Sequence, residues 1–180
     1  MERFVTPMLA DRVARVELLL LDVDGVLTDG GIIYTDTGAE AKRFHVRDGA
    51  GLKAWQLVGH KVAIVSGRRS PAVDRRAAEL GITTVLQGRA DKRLALDELQ
   101  VATGLQPEQV CAVGDDLPDL PILRRVGVAI AVADACLEVR AAADYVTTVP
   151  GGTGAVRDAI EWLLKSQGRW EGVIERLTQG

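Results

Sequence analysis

The stretch LLLLDVDGVLTDGG, residues 18–31, decides the fold of this chain. Its four leucines predict a strand that is buried on both faces, because the run is short and carries no polar alternation. Asp22 and Asp24 follow the leucines at once, although a carboxylate is costly to bury unless it is paired, hydrogen-bonded or bound to a metal. We therefore expect the strand to leave the core at Asp22 and to present both acids to a ligand.

Short apolar runs recur along the chain and alternate with segments of helical periodicity. Strands are predicted at 16–22, 61–67, 83–88, 110–116, 126–132 and 144–149. Helices are predicted at 51–59, 71–81, 91–104, 118–127, 137–143 and 155–168. Strands separated by single helices indicate βαβ units, so the predicted fold is α/β, with a Rossmann-like parallel sheet and helices on both faces. Ligands of such sheets bind at the carboxyl ends of the strands.

Two segments depart from this alternation. Residues 30–46 have two apolar arms around Asp-Thr-Gly, which predicts a small β-hairpin that is too short to form a cap domain. Residues 167–180 are predicted to form a short helix or tail that carries Trp170. Since no linker divides the chain, we expect one domain over residues 1–180.

The composition is that of an ordinary globular protein. The chain has 180 residues, 47% of them hydrophobic, and a formal net charge of −3, which argues against binding nucleic acid through bulk charge. Cys111 and Cys136 are far apart and form no CxxC pair. No apolar run approaches the ~20 residues that span a bilayer, and the N-terminal segment has no signal-peptide pattern. We expect a cytoplasmic protein that uses neither membrane nor nucleic acid.

Polar residues gather at the ends of the predicted strands, where a parallel sheet brings them together. They are Asp22, Asp24, Ser66, Gly67, Lys92, Asp115, Asp116 and Asp119. Several carboxylates that meet without a counter-ion repel one another, and a hard divalent cation such as Mg²⁺ removes that problem. Lys92 and the hydroxyl group of Ser66 are donors for an anion. A metal ion beside such donors indicates phosphate chemistry.

The spacing of Asp22 and Asp24 suits a two-step phosphoryl transfer. Asp22 is the candidate nucleophile, and Asp24 points the same way from an extended strand as the candidate acid and base. A calcium loop is disfavoured, because Val26 and Thr28 stand where further ligands are needed. Each of the other motifs, taken alone, is more typical of a turn or of a solvated helix start.

The motifs DVDGVLTDG, IVSGRR, QGRADK and VGDDLPD resemble those of the haloacid dehalogenase superfamily. FHVRDGAG and GGTGAVRD extend the resemblance over nearly the whole chain to the phosphatases of 3-deoxy-D-manno-octulosonate 8-phosphate. The resemblance implies a haloacid dehalogenase-like fold without a cap domain. It also implies Mg²⁺-dependent hydrolysis of that sugar acid phosphate, a precursor of lipopolysaccharide.

The resemblance also implies roles for individual residues. Asp22 is then nucleophile and metal ligand, Asp24 is acid/base with its backbone carbonyl on the metal, and Asp115 completes the protein ligands. Ser66, Gly67 and Lys92 bind the phosphoryl group, whereas Asp116 and Asp119 orient water and Lys92. The implied substrate contacts are His45, Val46, Arg47, Asp48, Gly49, Arg68 and Arg76. Arginine forks suit the carboxylate of a sugar acid.

Two departures from the family pattern and one related class of domain define the alternatives to this function. His45 stands where the family commonly has Asn and Lys53 where it often has Arg, so a nine-carbon keto-deoxy sugar acid phosphate or a broad substrate range is the main rival. The Arg-Asp-Gly run at 47–49 favours the eight-carbon substrate. A non-catalytic assembly module, related to domains fused to sugar-activating enzymes, is the rival from another class. Transfer to an acceptor other than water is a third alternative.

The resemblance also implies a homotetramer in which the hairpin lies between subunits and a neighbour closes the site.

Overall fold

The fold is a six-stranded parallel sheet, seen in a computed structural model that describes residues 6–179. The sheet strands are β1 (Leu18–Leu21), β4 (Lys61–Ser66), β5 (Thr84–Gln87), β6 (Val110–Gly114), β7 (Val128–Ala131) and β8 (Tyr145–Val146). They lie in the order β5-β4-β1-β6-β7-β8. A separate antiparallel pair, β2 (Ile33–Tyr34) and β3 (Glu40–Ala41), forms the hairpin. The predicted α/β fold with a small hairpin is confirmed. Residues 1–5 and 180 lie outside the described residues.

Eight α-helices accompany the described strands. They are α1 (Pro7–Ala14), α2 (Val46–Leu57), α3 (Pro71–Leu80), α4 (Lys92–Thr103), α5 (Leu120–Leu123), α6 (Leu137–Ala142), α7 (Ala155–Ser166) and α8 (Trp170–Thr178). Two 3₁₀ turns cover Pro107–Gln109 and Leu117–Asp119. None of the described helices is long and apolar enough to cross a membrane.

Three helices differ from the sequence prediction. The sequence reading missed α1, which begins after Thr6, whose hydroxyl oxygen accepts a hydrogen bond from Leu9 N at 3.3 Å. Helix α2 begins at Val46 rather than at residue 51, because the side chain of His45 caps it. The predicted helix at 118–127 is a 3₁₀ turn followed by the short α5, since Pro121 has no N–H group with which to continue the turn.

The leucines of β1 form the centre of the core. All four have exposed fractions of 0–1%, because β1 pairs with β4 on one side and with β6 on the other. Burying a leucine side chain contributes about 1.5–3 kcal/mol, so this strand is a principal source of stability. Its central place also puts its last residue and the acids that follow at the middle of the sheet's carboxyl edge.

The C-terminal segment forms a helix that packs on the domain. Trp170, at the start of α8, is partly buried against the core, and the guanidinium carbon of Arg157 lies 5.1 Å from its ring centroid. Val173 on the same helix is 1% exposed. Within the described residues, the predicted "short helix or tail" is therefore a packed helix.

Candidate functional site

A cleft of about 320 Å³ opens at the carboxyl edge of the sheet. Asp22 follows β1, Ser66 ends β4 and Asp115 follows β6, three strands that are neighbours in the sheet. The cleft is lined by Asp22, Asp24, Gly30, Ser66, Gly67, Arg68, Lys92, Asp115, Asp116, Pro118 and Asp119. The structure thus brings together every residue predicted to act in catalysis, metal binding or phosphate binding.

Three carboxylates form the floor of this cleft. Asp22, Asp115 and Asp119 each have an oxygen within 4.8 Å of the others. Burial, and then the charge of Asp119, raises the pKa of Asp22 to about 6, although Lys92 opposes the increase. Burial, and then Asp22 and Asp119, raises the pKa of Asp115 to about 8. The cluster therefore has more negative charge than Lys92 balances, and its oxygen donors suit a hard cation such as Mg²⁺.

Lys92 lies between two of these acids at the start of α4. Its Nζ is 2.8 Å from Asp22 Oδ1 and 2.6 Å from Asp119 Oδ1, and its side chain is 6% exposed. Burial acts to lower the pKa of Lys92, but the two carboxylates outweigh burial and raise it. Lys92 is therefore a buried ammonium ion that points at the predicted nucleophile.

Asp119 has both of its oxygens engaged by the chain. Oδ1 accepts from Lys92, and Oδ2 accepts from the backbone N–H of Asp115 at 3.0 Å. A Cβ atom added to Gly114 would lie 2.6 Å from Asp119 Cβ, so glycine at this position permits the approach. These bonds fit a residue that orients Lys92. Asp116, in contrast, is exposed and caps the 3₁₀ turn, with its Oδ1 accepting from Leu117 N at 2.8 Å.

Sequence reasoning missed two hairpin residues near Asp24: Lys42, which contacts it, and Glu40, which contacts Lys42. The Nζ atom of Lys42 pairs with Asp24 Oδ1 and lies 2.8 Å from Glu40 Oε1. Arg68 joins the same group, with Nε at 3.8 Å from Asp24 Oδ2 and Nη2 at 3.4 Å from Glu40 Oε1. Burial lowers the pKa of Lys42, yet hydrogen bonds to Asp24 and Glu40 raise it on balance. The alternation Glu40-Ala41-Lys42, with two charges on one strand face, was the signal available in the sequence.

Glycines allow the loop after Asp24 to pack tightly. Gly25 has a φ of 88°, and a Cβ atom there would lie 2.0 Å from Asp115 Oδ2. From the other side, a Cβ atom on Gly151 would lie 1.7 Å from Gly25 O. The run PGGTG at 150–154 therefore packs directly against the loop that follows Asp22 and Asp24 and limits its movement; we call this contact the brace.

Most of the implied substrate contacts lie outside the cleft. Among them, as placed in the described chain, only Arg68 lines it. His45 caps α2, Val46 and Arg47 are exposed, and Asp48 is 2% exposed with Oδ1 accepting from Arg157 N at 2.8 Å. Burial of this carboxyl raises the pKa of Asp48.

Arg76 contacts the same end of α2. A Cβ atom added to the buried Gly49 would lie 2.3 Å from Arg76 Nη2. Arg76 lines a second cleft of about 530 Å³, between α3 and the hairpin residues Glu40 and Lys42. Lys42, which contacts Asp24, and Glu40, which contacts Lys42, therefore also border this second cleft.

Known proteins are similar to this chain in sequence and in fold. Residues 81–160 match the haloacid dehalogenase-like hydrolase family. The 3-deoxy-D-manno-octulosonate 8-phosphate phosphatase KdsC of Escherichia coli strain K12 is 45% identical over 166 residues, which cover 91% of this chain and 88% of the relative.

Solved structures agree with this relationship. The 3-deoxy-D-manno-octulosonate 8-phosphate phosphatase from Moraxella catarrhalis, in complex with magnesium ion, phosphate ion and KDO, superposes with a TM-score of 0.92 at 42% identity, covering 96% of this chain and 99% of that chain. The cobalt-bound phosphatase from Haemophilus influenzae gives a TM-score of 0.85 at 40% identity, covering 88% and 93%. The family resemblance of the sequence motifs is confirmed: this chain belongs to the haloacid dehalogenase-like hydrolases and, within them, to the family of 3-deoxy-D-manno-octulosonate 8-phosphate phosphatases.

Proposed function

We propose that this chain hydrolyses 3-deoxy-D-manno-octulosonate 8-phosphate to the free sugar acid and inorganic phosphate, with Mg²⁺ as cofactor. The observation that carries the proposal is the buried Lys92, fixed at 2.8 Å from Asp22 and beside the carboxylate cluster of Asp115 and Asp119. Few arrangements other than phosphoryl transfer need an ammonium ion, a nucleophilic carboxylate and a metal-binding cluster in one cleft. The family relationship supports the choice of substrate.

Asp22 and Asp115 are the residues whose carboxylates would hold the magnesium ion, with the backbone carbonyl of Asp24 as a further ligand. Asp119 is a weaker candidate, because Lys92 and a backbone N–H group already occupy its two oxygens. When bound, the ion polarises the phosphoryl group and screens its negative charge from the attacking carboxylate. Burial and then the charge of Asp119 raise the pKa of Asp22, and its ionised, nucleophilic form would be favoured by a bound cation.

In the first step, a carboxylate oxygen of Asp22 attacks phosphorus and forms an aspartyl-phosphate. The bond between phosphorus and the O8 atom of the sugar breaks, and its electron pair stays on O8. Asp24, as the carboxylic acid, transfers its proton to O8, so the sugar acid leaves as a neutral alcohol at that position.

In the second step, water attacks the same phosphorus atom. Asp24, now a carboxylate, takes a proton from this water as the new oxygen–phosphorus bond forms. The bond between phosphorus and Asp22 breaks, and its electron pair returns to the Asp22 carboxylate. Inorganic phosphate leaves, and both aspartates regain their starting protonation states.

The phosphoryl oxygens are held by Ser66, the N–H group of Gly67 and Lys92. The Oγ atom of Ser66 accepts a hydrogen bond from Arg68 N at 3.2 Å, which leaves its own hydrogen free to donate to an anion. Ser66 is 3% exposed, so this hydroxyl group is fixed before the substrate arrives. Such preorganised donors strengthen as charge develops in the transition state.

Arg68 is the residue best placed to bind the carboxylate of the sugar acid within one chain. It lines the cleft and its side chain is 41% exposed, so its guanidinium fork can turn to a ligand. His45, Val46, Arg47, Asp48, Gly49 and Arg76 contribute to the sugar acid site in this proposal. Arg47 is exposed on the outer end of α2, a position that suits a contribution from one copy of the chain to the site of another.

We further infer that the chain works in the cytoplasm as a homotetramer with the hairpin between subunits. The apolar side chains Ile32, Ile33 and Tyr34 are 50%, 50% and 66% exposed on that hairpin, and such a patch is typical of an interface. Light scattering is the direct measurement. A monomer that retains full activity would exclude the shared site.

A screen of sugar phosphates with and without Mg²⁺ tests the function. We expect phosphate release from the eight-carbon substrate, loss of release with a chelator, and no release by Asp22→Asn. A clear preference for a nine-carbon keto-deoxy sugar acid phosphate would overturn the substrate. Absence of turnover on every phosphate ester would favour the non-catalytic assembly module.

A further inference from the structure

We propose that Lys42 is a positioning residue for Asp24, through which the hairpin takes part in the reaction of its own chain. The inference rests on the proposed function, because it concerns the acid that protonates the leaving sugar. Lys42 and Asp24 are 18 residues apart in sequence and belong to different parts of the fold, the hairpin and the end of β1. Their contact therefore exists only when the hairpin is folded against the cleft.

The surroundings of Lys42 fit a support for Asp24 rather than a contact with substrate. Its side chain is 1% exposed, and Lys42 is not among the residues that line the cleft containing Asp22. Two carboxylates hold it, those of Asp24 and Glu40, and the Glu40 contact is 2.8 Å long. An ammonium ion that is buried and doubly paired has little freedom to leave its partners for a ligand.

The contact also distinguishes the two oxygens of Asp24. Lys42 occupies Oδ1, whereas Oδ2 has only the longer contact of 3.8 Å to Arg68 among the ion pairs of the described residues. Oδ2 is thus the oxygen left to carry and transfer the proton. With Oδ1 fixed, the carboxyl plane cannot rotate freely, and Oδ2 keeps a constant orientation in the cleft.

Lys42 and Arg68 have different roles in this proposal. Arg68 is 41% exposed, and its contacts with Glu40 and Asp24, at 3.4 and 3.8 Å, are longer than the 2.8 Å contact of Lys42 with Glu40, so in this proposal Arg68 is the residue that turns toward the carboxylate of the sugar acid. If Arg68 turns in this way, Asp24 keeps its contact with Lys42. The hairpin lysine therefore holds the acid in place when the substrate is bound, which is when its orientation matters.

Leaving-group dependence gives the test. The sugar alkoxide needs a proton as it departs, whereas p-nitrophenolate is a stable anion that departs without one. Because kcat/KM reports on the steps up to departure of the leaving group, we compare kcat/KM for the sugar phosphate with kcat/KM for p-nitrophenyl phosphate. For Lys42→Met, we expect a loss of about 10²-fold on the sugar phosphate and less than about tenfold on the aryl phosphate. Lys42→Arg is expected to regain most of the loss.

Arg12→Met is the matched control, because it removes a 2.7 Å ion pair with Asp144, a residue that does not line the cleft. It should leave the ratio of the two kcat/KM values unchanged. Equal losses of Lys42→Met on both substrates would overturn the proposal, since they would indicate a merely structural role. If Lys42→Met does not fold, Lys42→Gln is read in the same way.

Activity of the wild-type protein tests the proposed function independently of the role of Lys42. Its hydrolysis of the sugar phosphate, absent in Asp22→Asn, supports the proposed function whatever the Lys42 variants do. If the wild type prefers another alkyl phosphate, the same ratio is measured with that ester, and the positioning role stands or falls on it.

Discussion

The carboxyl group of Asp115 makes the metal-free protein sensitive to pH. Burial and the neighbouring carboxylates of Asp22 and Asp119 raise the pKa of Asp115 to about 8, whereas an aspartate in an unfolded chain has a pKa of about 3.9. Between these values the native state binds more protons than the unfolded chain. The free energy of unfolding of the metal-free protein therefore falls as pH rises from about 4 to about 8.

The size of the effect follows from the same pKa. A change from about 3.9 to about 8 corresponds to roughly 5–6 kcal/mol, which solvent screening at this partly exposed side chain reduces to about 2–3 kcal/mol. Asp115→Asn removes the ionisable group. We expect it to raise the free energy of unfolding of the metal-free protein by about 2–3 kcal/mol at about pH 8.5, with almost no effect near pH 4.

Urea unfolding, followed by tryptophan fluorescence to which the buried Trp55 contributes, measures the free energy of unfolding in the presence of a chelator. In saturating Mg²⁺ the wild type should have a higher free energy of unfolding than Asp115→Asn. The wild type then binds the ion through Asp115, whereas the variant binds it weakly. Asp11→Asn, at an exposed position of α1, is the control and should show neither effect. A metal-free Asp115→Asn protein that is no more stable than the wild type at about pH 8.5 would refute the reasoning.

Three further outcomes follow from the site. Lys92→Met should lower kcat/KM by about 10²–10³-fold without loss of fold, as measured by steady-state phosphate release, because it removes a preorganised donor; a loss of less than threefold would contradict this role. Gly151→Ala should lower the free energy of unfolding by about 1–3 kcal/mol in urea titrations, since its Cβ atom would lie 1.7 Å from Gly25 O; an unchanged midpoint would exclude the brace. Asp119→Asn should weaken the hold on Lys92 and lower kcat by more than it raises KM; a change in KM alone would place Asp119 in substrate binding instead.

The sequence predicts those parts of the molecule in which neighbouring residues carry the signal. Strand β1 follows from four leucines, and the acids at its end follow from the cost of burying a charge. Helix boundaries near prolines and polar caps are harder to predict from the sequence. Helix α1 and the first turn of α2 each depend on a single capping group, at Thr6 and at His45. The split of the predicted helix at 118–127 likewise depends on one residue, Pro121.

The amino-acid sequence by itself determined the α/β fold, the family and the set of acids at the strand ends, because periodicity and strand-end geometry are local properties that a run of residues carries with it. Only the tertiary structure decided that Lys42 meets Asp24, that Lys92 contacts Asp22 as well as Asp119, and that Asp48 bonds to the start of α7 rather than lining the cleft. These pairs join residues that are far apart in the chain, and the free energy that selects them depends on burial and on the position of every neighbouring charge. No window of sequence contains that information, since the dielectric surroundings of a charged group exist only once the chain has packed.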